Sequence, residues 1–399
     1  MPKEKFVYLD NAATTQIDPR VFKAMEPYLK DDFGNASSLH LAGDSARRAV
    51  EVAQLAVADF LGAEATEICF TSGATESDNL ALLGCARALQ KKNFQNKIHI
   101  IVSRIEHDAI LEPAAQLLRE GVEVTYLKVN SKGLVDLAEL KQQIKDNTVL
   151  ISIMYANNEV GTVQPIKEIG REVAELNRSR KNKIYFHTDV TQAPAYLDCR
   201  ADYLGADMMS LSGHKIYGPK GVGVLYIRKG TPLAPLIYGG HQQNNVRPGT
   251  YNVAAIVGVA KALEIIRRQK NKTEIQKIQK MRDYLISRVQ KNINRVKLNG
   301  DGKKRLPNNA NFIFEGIEGE SLLLLLSQKK IAVSTGSACS SGSLEPSHVL
   351  TAMGVRPELA HGSLRVTLGR FSVKADVDVF LKELIPAVSK LRAMSPIKN

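Results

Sequence analysis

The chain has 399 residues, 44% of them apolar and 24% charged, with a formal net charge of +13. That balance is the composition of an ordinary globular protein too long for one simple core, not of a disordered or fibrous chain. It contains no run of about 18 apolar residues, which predicts no membrane-spanning helix.

The start, Met1-Pro2-Lys3-Glu4-Lys5, is polar and fits no signal peptide. Residues 6–10 read as a short strand and 11–15 as a turn. Asp18-Pro19 then opens a helix, cap followed by proline. A loop over 34–38 leads to a helix over 44–61, in which Ala46, Ala49, Val50, Ala53 and Val57 recur at three-to-four spacing. A strand at 67–70 runs into Thr71-Ser72-Gly73-Ala74-Thr75-Glu76, which opens a helix reaching residue 89. A strand, a small-residue turn and a helix N-terminus make an anion site from free N–H groups and the helix dipole. Plain N-capping by Thr71 or Ser72 is the alternative. The stretch is neither a Walker loop nor GxGxxG.

Strands at 98–102, 122–129, 149–154 and 184–187 alternate with helices at 109–120, 137–145 and 167–179. This alternation predicts an α/β fold with a mainly parallel sheet covered by helices on both faces. Ligands of such sheets bind at the carboxyl ends of strands. His107, Asn157-Asn158, Asp189 with Gln192, and Ser212 to Lys215 all fall at such ends. The run Met208-Met209-Ser210-Leu211 reads as a buried strand that breaks at Ser212-Gly213 and presents His214 and Lys215. A loop with Gly218, Pro219, Gly221 and Gly223 follows. A lysine at the end of a buried strand is poorly solvated, which disfavours its charged form and leaves a nucleophilic amine. A carbonyl cofactor such as pyridoxal phosphate needs that amine, and an acidic partner for its ring nitrogen, for which Asp189 is placed. A surface-loop lysine is the plainer alternative.

Two long helices, 254–268 and 274–293, carry the chain out of this unit, with Gln269-Lys270-Asn271-Lys272 between them. A strand at 310–314, a helix at 320–329 and a strand near Val333 follow. The Cys339 loop, a strand at 364–368 and a last helix from Ala375 close the chain. We expect a large unit over 16–262 and a small α+β unit over 263–399, joined by the segment 1–15. Cys69, Cys85, Cys199 and Cys339 are scattered with no CxxC, which argues against a zinc site or disulfide framework and for a reducing compartment. The positive charge leaves room for an acidic protein partner or tRNA. The chain has no tryptophan and no nucleic-acid motif, and its lysines cluster on helical stretches such as 267–280, so a solvated basic face accounts for them.

Together, several of these stretches resemble the class V aminotransferase-like cysteine desulfurases. They are Tyr8-Leu9-Asp10-Asn11-Ala12-Ala13-Thr14-Thr15, Thr71-Ser72-Gly73-Ala74-Thr75-Glu76, Glu106-His107, Asn157-Asn158-Glu159, His187-Thr188-Asp189-Val190-Thr191-Gln192 and Ser212-Gly213-His214-Lys215. The stretch Gly336-Ser337-Ala338-Cys339-Ser340-Ser341-Gly342 is similar to the group I, NifS/IscS-type branch. The resemblance implies a fold type I pyridoxal phosphate enzyme, cytoplasmic and homodimeric, with no metal. It implies that Lys215 holds the cofactor as a Schiff base, Asp189 pairs with the ring nitrogen, Gln192 bonds the ring hydroxyl and His107 stacks on the ring. Ala74, Thr75, Ser212 and His214 would bind the phosphate, and Thr250 would reach the phosphate of the other subunit. Arg365 would clamp the substrate carboxylate, assisted by Asn35 and by Asn158, which also borders the cofactor.

The implied reaction converts L-cysteine to alanine and leaves the sulfur on Cys339 as a persulfide. Lys215 would move the Cα proton and His107 the protons on the substrate thiol. The sulfur would pass to an acceptor such as an iron–sulfur scaffold protein, or toward tRNA thiolation or another thio-cofactor. Small residues around Cys339 imply a loop that swings. Cys69 and Cys85 read as core, and Cys199 has no assignment. Three departures from the family pattern stand out. Its GGGQE-x-G stretch is Gly239-Gly240-His241-Gln242-Gln243-Asn244-Asn245 here, and Ala36 replaces a proline. The chain also ends soon after Ser395-Pro396, where the IscS branch carries a longer docking tail, so docking is expected to differ. The same residues would serve a selenocysteine lyase or a sulfinate desulfinase. An aminotransferase would leave Cys339 without purpose, and a degenerate docking protein would have lost Lys215, Asp189 or Cys339.

Overall fold

The computed structural model describes residues 6–92, 97–269, 272–336 and 345–395, so Cys339 lies outside the described residues. The described strands are β1 (Val7–Tyr8), β2 (Ile68–Thr71), β3 (His99–Ser103), β4 (Glu123–Leu127), β5 (Thr148–Ser152), β6 (Tyr185–Asp189) and β7 (Met208–Ser212). They continue with β8 (Gly223–Ile227), β9 (Val296–Leu298), β10 (Asn309–Phe314), β11 (Ile331–Ala332) and β12 (Ser363–Thr367). Seven of them form one sheet in the order β2-β8-β7-β6-β5-β3-β4. From β4 to β7 the pairing is parallel, and β8 runs antiparallel to both β7 and β2.

Helices cover both faces of this sheet, and alternation along the strands shows why. Ile101, Ile151, Phe186 and Met209 face one apolar cluster, shared with the helices Leu41–Leu61, Ile166–Leu176 and Val253–Gln269. Their neighbours Ile100, Val102, Leu150 and Met208 face the other, shared with the helices Cys85–Lys92 and Asp108–Arg119. A strand buried on both faces needs apolar side chains at consecutive positions. That is how β3, β5 and β7 read, and all five residues of each are buried.

A third cluster gathers Leu9, Leu285, Phe312, Phe314, Leu364 and Phe380. It fills the space between the antiparallel sheet β12-β10-β9, the two-stranded sheet β1-β11 and the helices Lys272–Asn292, Gly319–Gln328 and Lys374–Met394. Among the described residues, no helix is long and apolar enough to cross a membrane.

Most expected elements are present with shifted ends. The helix expected over 44–61 starts at Leu41, where the His40 ring accepts from the Gly43 N–H. The strand expected over 122–129 is the shorter β4. The loop expected after Lys215 instead gives way at Gly223 to β8. A Cβ on Gly223 would lie 2.5 Å from the carbonyl carbon of Gly73, so only glycine lets β8 pass under the turn that follows β2. The sequence reading also omitted β9 and the helices His348–Ala352 and Pro357–Ala360, each too short to show a period.

Candidate active site

A cavity of about 540 Å³ opens at the carboxyl ends of the parallel strands. Lys215, Asp189, His107, Asn158 and Arg365 line it, as do the helix start Ala74-Thr75, Gln192, Ser212 and His214. Residues spread over nearly three hundred positions meet there because each ends, or follows, a strand of the same sheet, or in the case of Arg365 lies on β12.

Lys215 closes the short turn Gly213–Lys215 that terminates β7. Its Nζ donates to the carbonyls of Ala12 and Ala13, at 2.7 Å each. The sequence reading had this amine poorly solvated at the end of a buried strand; the structure adds that two carbonyl dipoles hold it. Two residues on, Tyr217 adopts a left-handed backbone (φ 66). Such strain persists only where neighbours over-determine it. Here the Tyr217 N–H donates to Thr15 Oγ1 at 2.7 Å, its carbonyl accepts from the Asp18 N–H at 2.9 Å, and its hydroxyl accepts from the Arg370 N–H at 2.8 Å.

Asp189 ends β6, is 7% exposed, and accepts from the Thr191 N–H at 2.8 Å. Burial raises its pKa, opposed by the Thr191 hydrogen bonds and by nearby His107 and Lys215. Behind it lies a second buried carboxyl, Asp78, also raised by burial and then by Asp189. Its Oδ1 has no hydrogen-bond partner and stands 3.6 Å from Nε2 of His187. Burial pushes His187 down to about 3, so that ring is neutral. It bonds Ser152 Oγ at 2.8 Å and Ser210 Oγ at 3.0 Å.

His107 caps the helix Asp108–Arg119, its Nδ1 accepting from the Ala109 N–H at 3.0 Å. In the neutral ring this leaves the proton on Nε2. Its neighbour Glu106 is fully buried, and burial pushes its carboxyl up to about 8 against hydrogen bonds from Ser103 Oγ and the Met154 N–H.

The helix Ala74–Asn79 continues through a π turn, Leu80–Gly84, into Cys85–Lys92. Neither Thr71 nor Ser72 caps it, which corrects the capping alternative: the N-cap is Gly73, with no side-chain bond. Thr71 Oγ1 instead lies 3.0 Å from the Gly73 carbonyl and 2.8 Å from Ser77 Oγ, and the Ser72 N–H donates to Glu76 Oε2. A Cβ added to Gly73 would meet nothing within 4 Å. The first-turn residues Ala74, Thr75 and Glu76, whose N–H groups no helix satisfies internally, line the cavity. Beside them His214 is pushed down to about 4 by burial and then by Lys215 and Lys220, and its Nδ1 lies 3.1 Å from Thr14 Oγ1. Gln192 donates to the Ala12 carbonyl at 3.1 Å.

These residues fit a pyridine aldehyde carrying a phosphate. There is an amine for the aldehyde, a buried carboxyl for the ring nitrogen and an uncapped helix start for the phosphate. Among the residues that line the cavity, Asp78 has an Oδ1 that is buried without a hydrogen-bond partner.

At the other end of the cavity Arg365, on β12, is 3% exposed. Its Nη1 donates to the Asn158 carbonyl at 3.1 Å and its Nη2 to Asp10 Oδ1 at 3.0 Å. The described flanks of the Cys339 stretch converge on Glu159. Ser347 Oγ donates to Glu159 Oε2 at 2.5 Å, and the Gly336 N–H donates to Ser363 Oγ at 3.3 Å. Asn35 and Thr250 are exposed and lie outside this cavity. Cys69, Cys85 and also Cys199 are buried.

Sequence reasoning gave no role to Asp10, Asp78, Glu106 or the Ala12 and Ala13 carbonyls. Asp10 and Glu106 stand at strand ends and could have been found by the rule that found His107. Carbonyl oxygens leave no mark in a sequence. The divergent stretch 239–245 has a defined place. Gln243, Asn244 and Asn245 are all left-handed, and the Gln243 amide bonds the N–H and C=O of Phe70 at 2.6 and 2.8 Å, covering the edge strand β2.

The family model for the class-V aminotransferases matches residues 7–380. The chain is 50% identical over 393 residues to the cysteine desulfurase IscS of Dictyoglomus turgidum, covering 98% of this chain and 97% of that one. It is likewise 50% identical over 398 residues to the IscS of Methanosarcina thermophila, covering 99% and 95%. Among solved structures it is similar to a NifS-like protein, with a TM-score of 0.89 and 38% identity over 97% of this chain and 100% of that one. A structure of SspA in complex with cysteine is similar at a TM-score of 0.79 and 37% identity, covering 92% and 99%.

Proposed function

Because the chain belongs to the class-V aminotransferases and is within them a pyridoxal-phosphate-dependent cysteine desulfurase, we propose that the cavity around Lys215 is the site of that reaction. The observation that carries this is the convergence of Lys215, Asp189, the uncapped helix start and Arg365 on one cavity. Bound pyridoxal phosphate supplies an aldehyde for amines and a ring that accepts the electron pair released at Cα. Lys215, Asp189, Gln192, His107, Asn158, Ser212, His214, Ala74 and Thr75 hold it.

Arg365 and Asn158 orient the substrate by its carboxylate, which places the amino group toward Lys215. Nζ of Lys215 moves the Cα proton. His107 moves the proton of the substrate thiol. The thiolate of Cys339 attacks the substrate sulfur, an S–S bond forms as the Cβ–S bond breaks, Cβ keeps the electron pair and takes a proton, and alanine leaves with Cys339 as a persulfide. The rooting of Gly336 and Ser347 beside Glu159, next to Asn158, supports delivery of Cys339 to this end of the cavity.

A second copy completes the site in this account. Asn35 and Thr250 lie outside their own cavity, and Phe33, Leu39 and Leu41 are 82%, 98% and 89% exposed, an apolar surface of the kind that dimers cover. The division into a large and a small unit is part of the same proposal. Ile265 and Ile266 pack with the first of the two clusters that flank the large sheet and Ile278 with the small core, so the connection falls between the two long helices. The sulfur then passes to an acceptor protein, in the first instance one that assembles iron–sulfur clusters.

The test is the cofactor-loaded protein with L-cysteine and a reductant. Equal sulfide and alanine are expected, with both turnover signals lost in Cys339→Ala while the cofactor's visible absorbance persists. Sustained sulfide release from Cys339→Ala would contradict the assignment.

A further inference from the structure

The guanidinium of Arg365 already has an anionic partner. Asp10, from the segment after β1, holds Nη2 at 3.0 Å, and the two side chains are 17% and 3% exposed. The Asn158 carbonyl takes Nη1, and Nε has no partner. A guanidinium has five N–H donors, so three remain for a second anion. The Asp10–Arg365 pair sums to zero charge, and a substrate carboxylate makes the group of three net negative in a largely buried place. Two carboxylates on one cation cannot both stay ionised there without cost.

We propose that Asp10 is a positioning residue for substrate binding: it pins Arg365 in the empty site, and a substrate carboxylate enters as the second anion on that arginine. Asp10 answers by taking a proton from solvent, so binding is coupled to proton uptake. The groups facing Asp10 are Arg365 from β12, Lys215 from the turn after β7, the Ala13 N–H and, at the end of β1, Tyr8. Burial has already raised the carboxyl, against the pull of Arg365 and Lys215, so a further rise on binding brings it toward neutrality. The sign follows from linkage. A group whose pKa rises on binding favours binding most at low pH, and the advantage is lost as pH climbs from the free to the bound value. The segment thereby parks two groups that the reaction uses, Lys215 on the Ala12 and Ala13 carbonyls and Arg365 on Asp10. An uncharged residue at position 10 would leave Arg365 free to hold anions that are not substrate.

This inference rests on the reading of Arg365 as the carboxylate anchor. The probe is 3-mercaptopropionate, which keeps the carboxylate and thiol of the substrate and lacks the amine. Its binding to the cofactor-loaded native protein and to Asp10→Asn is measured by calorimetry from pH 5 to 8, in two buffers of different ionisation enthalpy. For the native protein we expect net proton uptake and an affinity that falls with pH by up to about tenfold per unit. For Asp10→Asn we expect tighter binding at neutral pH, less proton uptake and a flatter profile. Weaker binding by Asp10→Asn with an unchanged slope and unchanged proton count would overturn the proposal. If Asp10→Asn does not fold, absence of proton uptake by the native protein overturns it equally. Failure of the underlying reading looks different: Arg365→Lys would then leave the affinity for the probe unchanged.

Discussion

Glu106 shows what burial does to a single residue at this site. It has no exposed surface, and its carboxyl is pushed from an ordinary 4.5 to about 8. Because the folded value is the higher one, its contribution to stability is complete below pH 4.5 and is lost as pH rises through about 8. Glu106→Gln keeps the shape and an acceptor for Ser103 and Met154 but does not titrate. The unfolding midpoint of the native protein should therefore drop relative to the variant between pH 5 and pH 8.5, by an amount corresponding to a few kcal/mol at most. Parallel curves for the two proteins would show that Glu106 is not the titrating group. Asp189 gives the complementary case. Asp189→Asn keeps the bond from the Thr191 N–H but removes the charge that a protonated ring nitrogen needs. The expected result is a cofactor still bound, a turnover lower by about 10² or more, and a shifted absorbance band. Asp189 was legible because it stands at a strand end with chemistry suited to the task, whereas Glu106, also after a strand, was passed over for its neighbour His107. Asp78 was not, since it lies inside a helix and becomes notable only when the fold sets it against His187 and Asp189.

At the scale of elements, two glycines separate architecture from binding. Gly223→Ala would drive a Cβ to 2.5 Å from the Gly73 backbone, where β8 crosses the turn after β2. A loss of about 1–3 kcal/mol in stability is expected from such overpacking, visible as a lowered thermal midpoint even without cofactor. Gly73→Ala meets no atom within 4 Å and has an extended backbone (φ 164), so the fold should be unchanged. The added methyl would instead stand at the uncapped helix start, and the pyridoxal phosphate dissociation constant, followed by absorbance, should rise at least several-fold. Equal affinity in Gly73→Ala and the native protein would remove the helix start from the cofactor site. The βα alternation was readable because strands buried on both faces leave continuous apolar runs such as Ile100-Ile101-Val102. The antiparallel strand β8 was hidden behind the glycines that precede it. Its apolar run Val224-Leu225-Tyr226 could have been found, but Gly218, Pro219 and Gly221 had already marked the region as loop. The missing cap at Gly73 could not have been read at all, because Thr71 and Ser72 have the right chemistry for capping and only the geometry turns them elsewhere.

For the whole molecule, the account joins the cores of the seven-stranded and three-stranded sheets to a second copy of the chain. The segment 6–15 belongs to the small core through Val7 and Leu9 and reaches the cavity through Asp10, Ala12 and Ala13. The reading along the chain expected the N-terminal segment to join the small unit; that this segment supplies the carbonyls opposite Lys215 needed the structure. Replacing Leu39 and Leu41 with aspartate should leave a folded monomer in sedimentation, with turnover lost because Asn35 and Thr250 no longer reach a neighbouring site. A dimer that survives both substitutions would place the interface elsewhere. The most direct test of the central claim is covalent. Cofactor-loaded protein is reduced with borohydride, digested and mapped by mass. The account predicts a single pyridoxyl adduct on Lys215, in the turn that ends β7; an adduct on any other lysine, or none on a fully loaded protein, would contradict it.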